Sequence, residues 1–224
     1  MGRRMVPLTL DVLGDLPEAS RRCVFWELDA VAAKQAAAAG YPDFEKEVWF
    51  STVLLQWGPC GRLLYVDDEL AGFVVYAPPV FSPRAGAFPT SPVSGDAVLL
   101  MTGWVRPDQR GGGLARMLVQ GAAKDLTKRG FKAIEAFGVA APPADPADTA
   151  CTPGAHEGDC LLPEAMLLSV GFTTVRPHHR YPRLRLELRS ALAWREDVEQ
   201  ALERLLGSVR VPALSGLGAP PATT

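Results

Sequence analysis

The stretch Val105-Arg106-Pro107-Asp108-Gln109-Arg110-Gly111-Gly112-Gly113-Leu114-Ala115-Arg116-Met117-Leu118 joins two apolar patterns of different period through three consecutive glycines. Upstream, residues 97–105 form a continuous apolar run, the pattern of a strand buried on both faces. Downstream, residues 114–129 place Leu114, Met117, Leu118, Ala122 and Leu126 on one helical face, and Gly130 ends the helix. The first N–H groups of a helix have no partner within it and carry a partial positive charge. Glycine lets such a backbone approach an anion without a side chain in the way. Strand, glycine turn and helix together predict a phosphate site that a pyrophosphate would fit. The plain alternative is a strand-to-helix turn, which also favours glycine.

Two common phosphate motifs are excluded by spacing. A P-loop requires a lysine directly after its glycines, and none follows here until Lys124. The dinucleotide fingerprint follows the first strand of its unit and is matched by an acid ending the next strand. In this chain the strand after the turn, residues 131–137, ends in Phe137-Gly138.

A longer pattern does fit. Val105, Pro107, Arg110, Gly113 and Ala115 are spaced as Val-x-Pro, two residues, then Arg/Gln-x-x-Gly-x-Gly/Ala and an apolar helix. This segment resembles the signature of the GNAT acyltransferases. Val170-Gly171-Phe172 resembles the closing apolar-Gly-Phe of that superfamily's later helix, and the order of elements agrees from about residue 5 to residue 189. The resemblance implies an α/β fold with a mixed sheet, in which the strand of residues 100–105 splays from residues 131–137. It implies acetyl-coenzyme A as co-substrate. The backbone at Gln109, Arg110, Gly111, Gly112, Gly113, Leu114 and Ala115 would hold its pyrophosphate. Pantetheine and the acetyl carbonyl would lie along Met101, Thr102, Gly103, Trp104 and Val105, whose N–H groups are suited to a developing oxyanion.

Direct transfer also needs a base for the amine and an acid for the thiolate. The superfamily's usual tyrosine acid falls at Leu167, its asparagine at Cys160 and the following alanine at Pro163. Glu135, set among Ala133, Ile134, Ala136 and Phe137, either faces the cleft as a base or pairs with a nearby arginine. Cys160, just before a helix N-terminus, is an acid, a nucleophile or only a small buried residue. Trp26 and Glu27 either shape the acceptor site or, for the tryptophan, fill the core. His178, His179 and Tyr181 line the cleft or occupy a solvated turn. Cys151, His156 and Cys160 supply three N/S groups without a clear fourth, so no metal is expected.

Working outward, a first strand is expected over residues 5–10, and a helix over 16–26 capped by Asp15. Further helices are expected over 30–39 and over 44–56, the latter burying Phe44, Val48, Val53, Leu54 and Trp57. Strands at 61–66 and 71–76 flank a turn at 67–70, and a proline-rich loop follows over 78–96. A short helix over 163–170 leads to strands at 172–176 and 184–188. Residues 1–210 read as a single domain with an added C-terminal helix at 194–206, and residues 211–224 as a disordered tail. The loops over 78–96 and 138–159 are expected to roof the acceptor site.

A formal net charge of −2 offers no field for nucleic acid or an anionic membrane, and no apolar run is long enough to span a bilayer. Arg3 and Arg4 are followed by Asp11 and Asp15 before any unbroken apolar stretch, which argues against a signal peptide and for a cytoplasmic protein with four free thiols. The expected activity is acetyl transfer to a primary amine of a small molecule or a protein. The alternative is a coenzyme A-binding sensor without catalysis. In that case the 194–206 helix, with Val198, Leu202, Leu205 and Leu206, offers a docking or homodimer surface.

Overall fold

Asp67 and Asp68 both adopt positive φ, 49° and 64°, and close the hairpin between β2 (Gly61–Val66) and β3 (Glu69–Ala77). Aspartate tolerates the left-handed region better than most residues, and a tight two-residue turn needs it twice. The strand therefore resumes at Glu69, two residues before the sequence pattern suggests. The computed structural model describes residues 2–140 and 160–188. Contacts divide the chain into Met1–Leu192 and Ala193–Thr224, and the second unit lies outside the described residues. So do the expected helix at 194–206, the tail, and Cys151 and His156.

The sheet runs β1 (Arg3–Pro7), β2, β3, β4 (Ala97–Val105), β5 (Ala133–Val139), β8 (Arg183–Glu187) and β7 (Thr173–Arg176). Pairing along this path is antiparallel except between β4 and β5. A two-residue strand, β6 (Leu162–Pro163), also runs parallel to β5. This is the mixed α/β sheet expected from the alternation of strands and helices. Side chains alternate between two cores. Phe73, Val75 and Ala77 enter one, and Val74 and Tyr76 the other, as period 2 requires.

The first core lies beneath α3 (Pro42–Gln56), against which α1 (Glu18–Arg22) and α2 (Ala30–Ala39) pack. The second lies beneath α4 (Leu114–Lys128) and α5 (Glu164–Ser169). The single helix expected over 16–26 is instead a 3-10 turn, Leu10–Asp15, followed by α1. Pro17 explains the break: it has no N–H to donate and disfavours helix at the residue before it. Asp15 accordingly caps nothing and accepts from the Tyr65 hydroxyl.

Helix α3 begins at Pro42, where a missing N–H costs nothing. Its buried face carries Lys46, Trp49, Phe50 and Val53, while Phe44 and Val48 are 59% and 43% exposed. The expected face was thus partly wrong. Bulk decided it: Trp49 and Phe50 pack edge-to-face at 5.0 Å, and the Trp49 indole donates to Phe81 O at 2.7 Å. The loop over 78–96 holds two 3-10 turns and is anchored by Phe88, whose ring stacks on Phe137 at 4.4 Å.

Candidate active site

Strands β4 and β5 pair only at Ala97–Ala133, Val98–Ile134 and Leu99–Glu135, after which they separate. On its other edge β4 stays paired with β3 as far as Gly72–Val105. The result is a wedge whose arms are residues 100–105 and 136–139, the splay that the sequence resemblance implies. Strand β8 occupies one edge of β5 through Phe137–Arg183, so β6, paired at Gly138 and Val139, stands on the edge facing β4.

Next to the apex β4 carries a bulge. Val75 pairs with Thr102 and Tyr76 with Leu100, leaving Met101 as the extra residue. A bulge sharpens local twist and re-aims side chains. Here Met101 joins the first core, and Thr102 beside it lines a pocket on that same side of the sheet.

At the end of β4 the chain turns through Pro107–Gln109 into the glycines. Gly111 and Gly113 have φ of 80° and 78°, and Gly113 is the N-cap of α4. A Cβ at either would meet nothing within 4 Å among the described residues, so what requires glycine there is conformation. Gly112 has no such φ, and a Cβ there would sit 3.5 Å from Gln109 O. The turn therefore presents helix N–H groups to solvent with no capping side chain. Arg110 folds back instead, its Nε donating to Val105 O at 3.1 Å.

Glu135 is fully buried and heavily engaged. Its Oε2 accepts from Arg183 Nη1 at 2.6 Å and from the Ser94 amide at 3.1 Å, and its Oε1 accepts from Arg185 Nη1 at 3.1 Å. Of the two readings of Glu135, arginine pairing is the one this geometry carries. Cys160 is buried, its Sγ 2.9 Å from Cys23 Sγ, and its carbonyl accepts from the Trp26 indole at 2.6 Å. It is disulfide-bonded, not the free thiol the sequence suggests, while Cys23 remains a thiol. Leu167 is wholly buried in the second core, and no hydroxyl reaches the wedge from that position. His178 stacks on Tyr181 and lies tilted against His179, and Tyr181 packs edge-to-face on Phe88. Among the described residues no group of His, Cys, Asp or Glu is disposed to hold a metal ion.

A second set of polar groups was only half legible in the sequence. Glu27, Lys46 and Ser20 are 4%, 3% and 6% exposed and line one pocket with Thr102 of the β4 bulge. Leu16, Phe73 and Val75 complete its apolar wall. Lys46 Nζ reaches Glu27 Oε1 at 2.5 Å and Cys23 O at 2.6 Å, which is how a buried ammonium is made tolerable. Among the described residues, buried Glu27 Oε2 and Ser20 Oγ find no hydrogen-bond partner. Glu27 was singled out beside Trp26, but Lys46 was missed. Its signal was the spacing Lys46, Trp49, Phe50, Val53, which places it on the apolar face of α3. Trp26 lines the same pocket and stacks with Phe88 at 5.3 Å and Phe137 at 6.1 Å.

No helix among the described residues is long and apolar enough to cross a membrane. Comparison with known proteins agrees with the geometry. Several solved structures share the fold over most of the chain. The PaiA N-acetyltransferase of Thermoplasma acidophilum in complex with coenzyme A is 12% identical, with TM-score 0.50 over 84% of this chain and 99% of that one. The loading GNATL domain of CurA from Lyngbya majuscula is 11% identical, with TM-score 0.51 over 85% and 100%. The aminoglycoside acetyltransferase AAC(6')-Ib in complex with coenzyme A is 15% identical, with TM-score 0.51 over 86% and 98%. Among curated proteins none matches. The model of the Acetyltransferase (GNAT) family matches residues 27–147, a span that holds the splayed strands, the bulge and the glycine turn, and the chain belongs to that family.

Proposed function

We propose that this protein moves an acetyl group from acetyl-coenzyme A directly to a primary amine. The observation that carries the reading is the placement of an open glycine turn at the free end of the same strand that leaves β5 beyond Leu99. Coenzyme A is a long molecule with a pyrophosphate near one end and a thiol at the other. The turn at Gln109, Arg110, Gly111, Gly112, Gly113, Leu114 and Ala115 offers helix N–H groups to the pyrophosphate. Met101, Thr102, Gly103, Trp104 and Val105 then lead back along the wedge toward the bulge, where the thioester carbonyl would meet backbone donors. Two of the structures sharing this fold were solved with coenzyme A, which supports that placement.

Transfer without a covalent enzyme intermediate is supported by the two candidate nucleophiles. Glu135 is committed to two arginines, and Cys160 is not a thiol. Neither is placed to form an acyl-enzyme. The test is calorimetric titration of the full chain with acetyl-coenzyme A, followed by thiol release against a panel of amines. Binding together with amine-dependent thiol release supports a transferase. Binding without turnover by any amine would favour a coenzyme A sensor.

A further inference from the structure

The contact between Cys23 and Cys160 carries an inference that goes beyond acetyl transfer and does not depend on it. The two residues are 137 apart in the chain, and their sulfurs lie 2.9 Å from one another. A disulfide bond is about 2.0 Å long, so a bond between them needs only a small approach. The two differ in state: Cys160 is in a disulfide, and Cys23 is a thiol. The hydrogen of the contact therefore belongs to Cys23, and its acceptor is a sulfur that is already bonded.

A thiol held against a disulfide sulfur is the reactant pair of thiol–disulfide exchange, whose rate depends on thiolate and on which sulfur can be reached. Access decides the matter here. Cys160 is 1% exposed, so a thiol arriving from solvent has little path to its sulfur. Half-buried Cys23 already touches it. Both backbones are anchored: Lys46 Nζ donates to Cys23 O at 2.6 Å, and the Trp26 indole donates to Cys160 O at 2.6 Å. Anchors on each side keep the sulfurs together, which makes the reaction effectively unimolecular.

We infer that Cys23 is the exchange partner of Cys160: its thiolate attacks Cys160 Sγ, a Cys23–Cys160 disulfide forms, and the sulfur formerly bonded to Cys160 leaves as a thiolate. One S–S bond forms and one breaks. The proton lost by Cys23 passes through water to the leaving thiolate, and no oxidant or reductant is consumed. Cys160 is bonded in both states, and what moves is the cross-link. Cys23 follows α1 and lines the pocket that Thr102 of the bulge also lines, while Cys160 leads into β6 on the edge of β5 that faces β4. The new bond ties the end of α1 to the segment entering β6, a covalent clasp beside the wedge. Because no electrons leave the chain, the conformations of the joined segments set the balance between the two states, not the redox poise of the surroundings.

The test uses the full chain, air-oxidised at about pH 8, where thiolate is present, then quenched in acid and alkylated with maleimide. Digestion with trypsin and a glutamate-specific protease releases Cys23 on residues 23–27 and Cys160 on residues 158–164. Mass spectrometry of the wild type should find these two peptides joined. In Cys23→Ser the 158–164 peptide should still be disulfide-bonded, elsewhere in the chain, which shows that Cys160 has two partners to exchange between. Cys23 recovered from the wild type only as its maleimide adduct overturns the assignment, and this arm needs no variant to fold. Cys160 recovered as a maleimide adduct in Cys23→Ser overturns it as well, since no second linkage then exists. Neither readout involves acetyl-coenzyme A, so failure of the transferase reading leaves the exchange standing, and the reverse holds too.

Discussion

Leu99 of β4 and Glu135 of β5 are the last residues the two strands pair before they separate. The Glu135 carboxylate ties this rung down. It binds Arg183 and Arg185 on β8 and the amide of Ser94, in the segment leading into β4. One buried acid thus joins three parts of the sheet at the point where the wedge opens. Its place in the sequence suggests chemistry, but its partners give it a positioning role.

Glu135→Gln should therefore lower stability more than it lowers turnover. Removing one partner of a buried ion pair costs roughly 3–5 kcal/mol, because the other charge is left uncompensated. Urea denaturation should show the loss, and the double variant Glu135→Gln/Arg183→Met should lose less than the sum of the single changes. A folded Glu135→Gln protein that melts like wild type but has no turnover would return Glu135 to the catalytic step.

The three glycines of the turn should separate by conformation. Gly112 has an ordinary φ, so Gly112→Asp should fold normally and weaken acetyl-coenzyme A binding by about tenfold or more, near 1.4 kcal/mol, by placing a carboxylate against the phosphates. Gly113 sits at φ 78°, and Gly113→Ala should cost about 1–2 kcal/mol of stability before any effect on binding. Calorimetry beside thermal melting reads both, and equal behaviour of the two variants would contradict the assignment.

Restoring the family's tyrosine should not restore an acid. Leu167 has no exposed surface, and a Cβ built on Gly138 would lie 3.4 Å from its Cδ1. Leu167→Tyr should overpack this site at a cost of roughly 1–3 kcal/mol and leave kcat no higher than wild type. Steady-state kinetics on the folded fraction decides it, since a gain in kcat would show that a hydroxyl from this position reaches the thiol.

Acid stability should report the Asp96–Arg185 pair. Hydrogen bonding to the Arg185 guanidinium, 2.9 Å from Oδ1, holds the Asp96 carboxyl below its ordinary 3.8. A carboxyl depressed in the folded state contributes stability that is present above its unfolded value and lost as pH falls through its folded value. Asp96→Asn should therefore melt lower than wild type near neutral pH, with the difference closing below about pH 4. The effect should be small, since the Asp96 side chain is 41% exposed to screening solvent.

Cys60 should be inert. Burial pushes its thiol up to about 12, so it is almost wholly protonated at pH 8. Iodoacetamide should label it in urea but not in the native protein, as mass spectrometry of the tryptic peptide would show.

The sequence by itself determined β4 to the residue, α4 to within one, and the glycine turn between them, because period and glycine punctuation are local signals. It likewise showed that a turn joins the second and third strands, though it set the turn two residues too long, and it left unread the Asp29 cap, whose carboxylate accepts from Val31 and Ala32 three residues away or fewer. The helix over 16–26 failed for a reason also local, the weight of Pro17. What only the tertiary structure decided is which polar groups meet. Lys46 finds Glu27 nineteen residues away, Glu135 finds Arg183 forty-eight away, and Thr102 reaches the same pocket through a bulge at Met101. Such meetings depend on register and on which face of α3 turns inward. Packing of Trp49 and Phe50 sets that face, and no single-chain period encodes it.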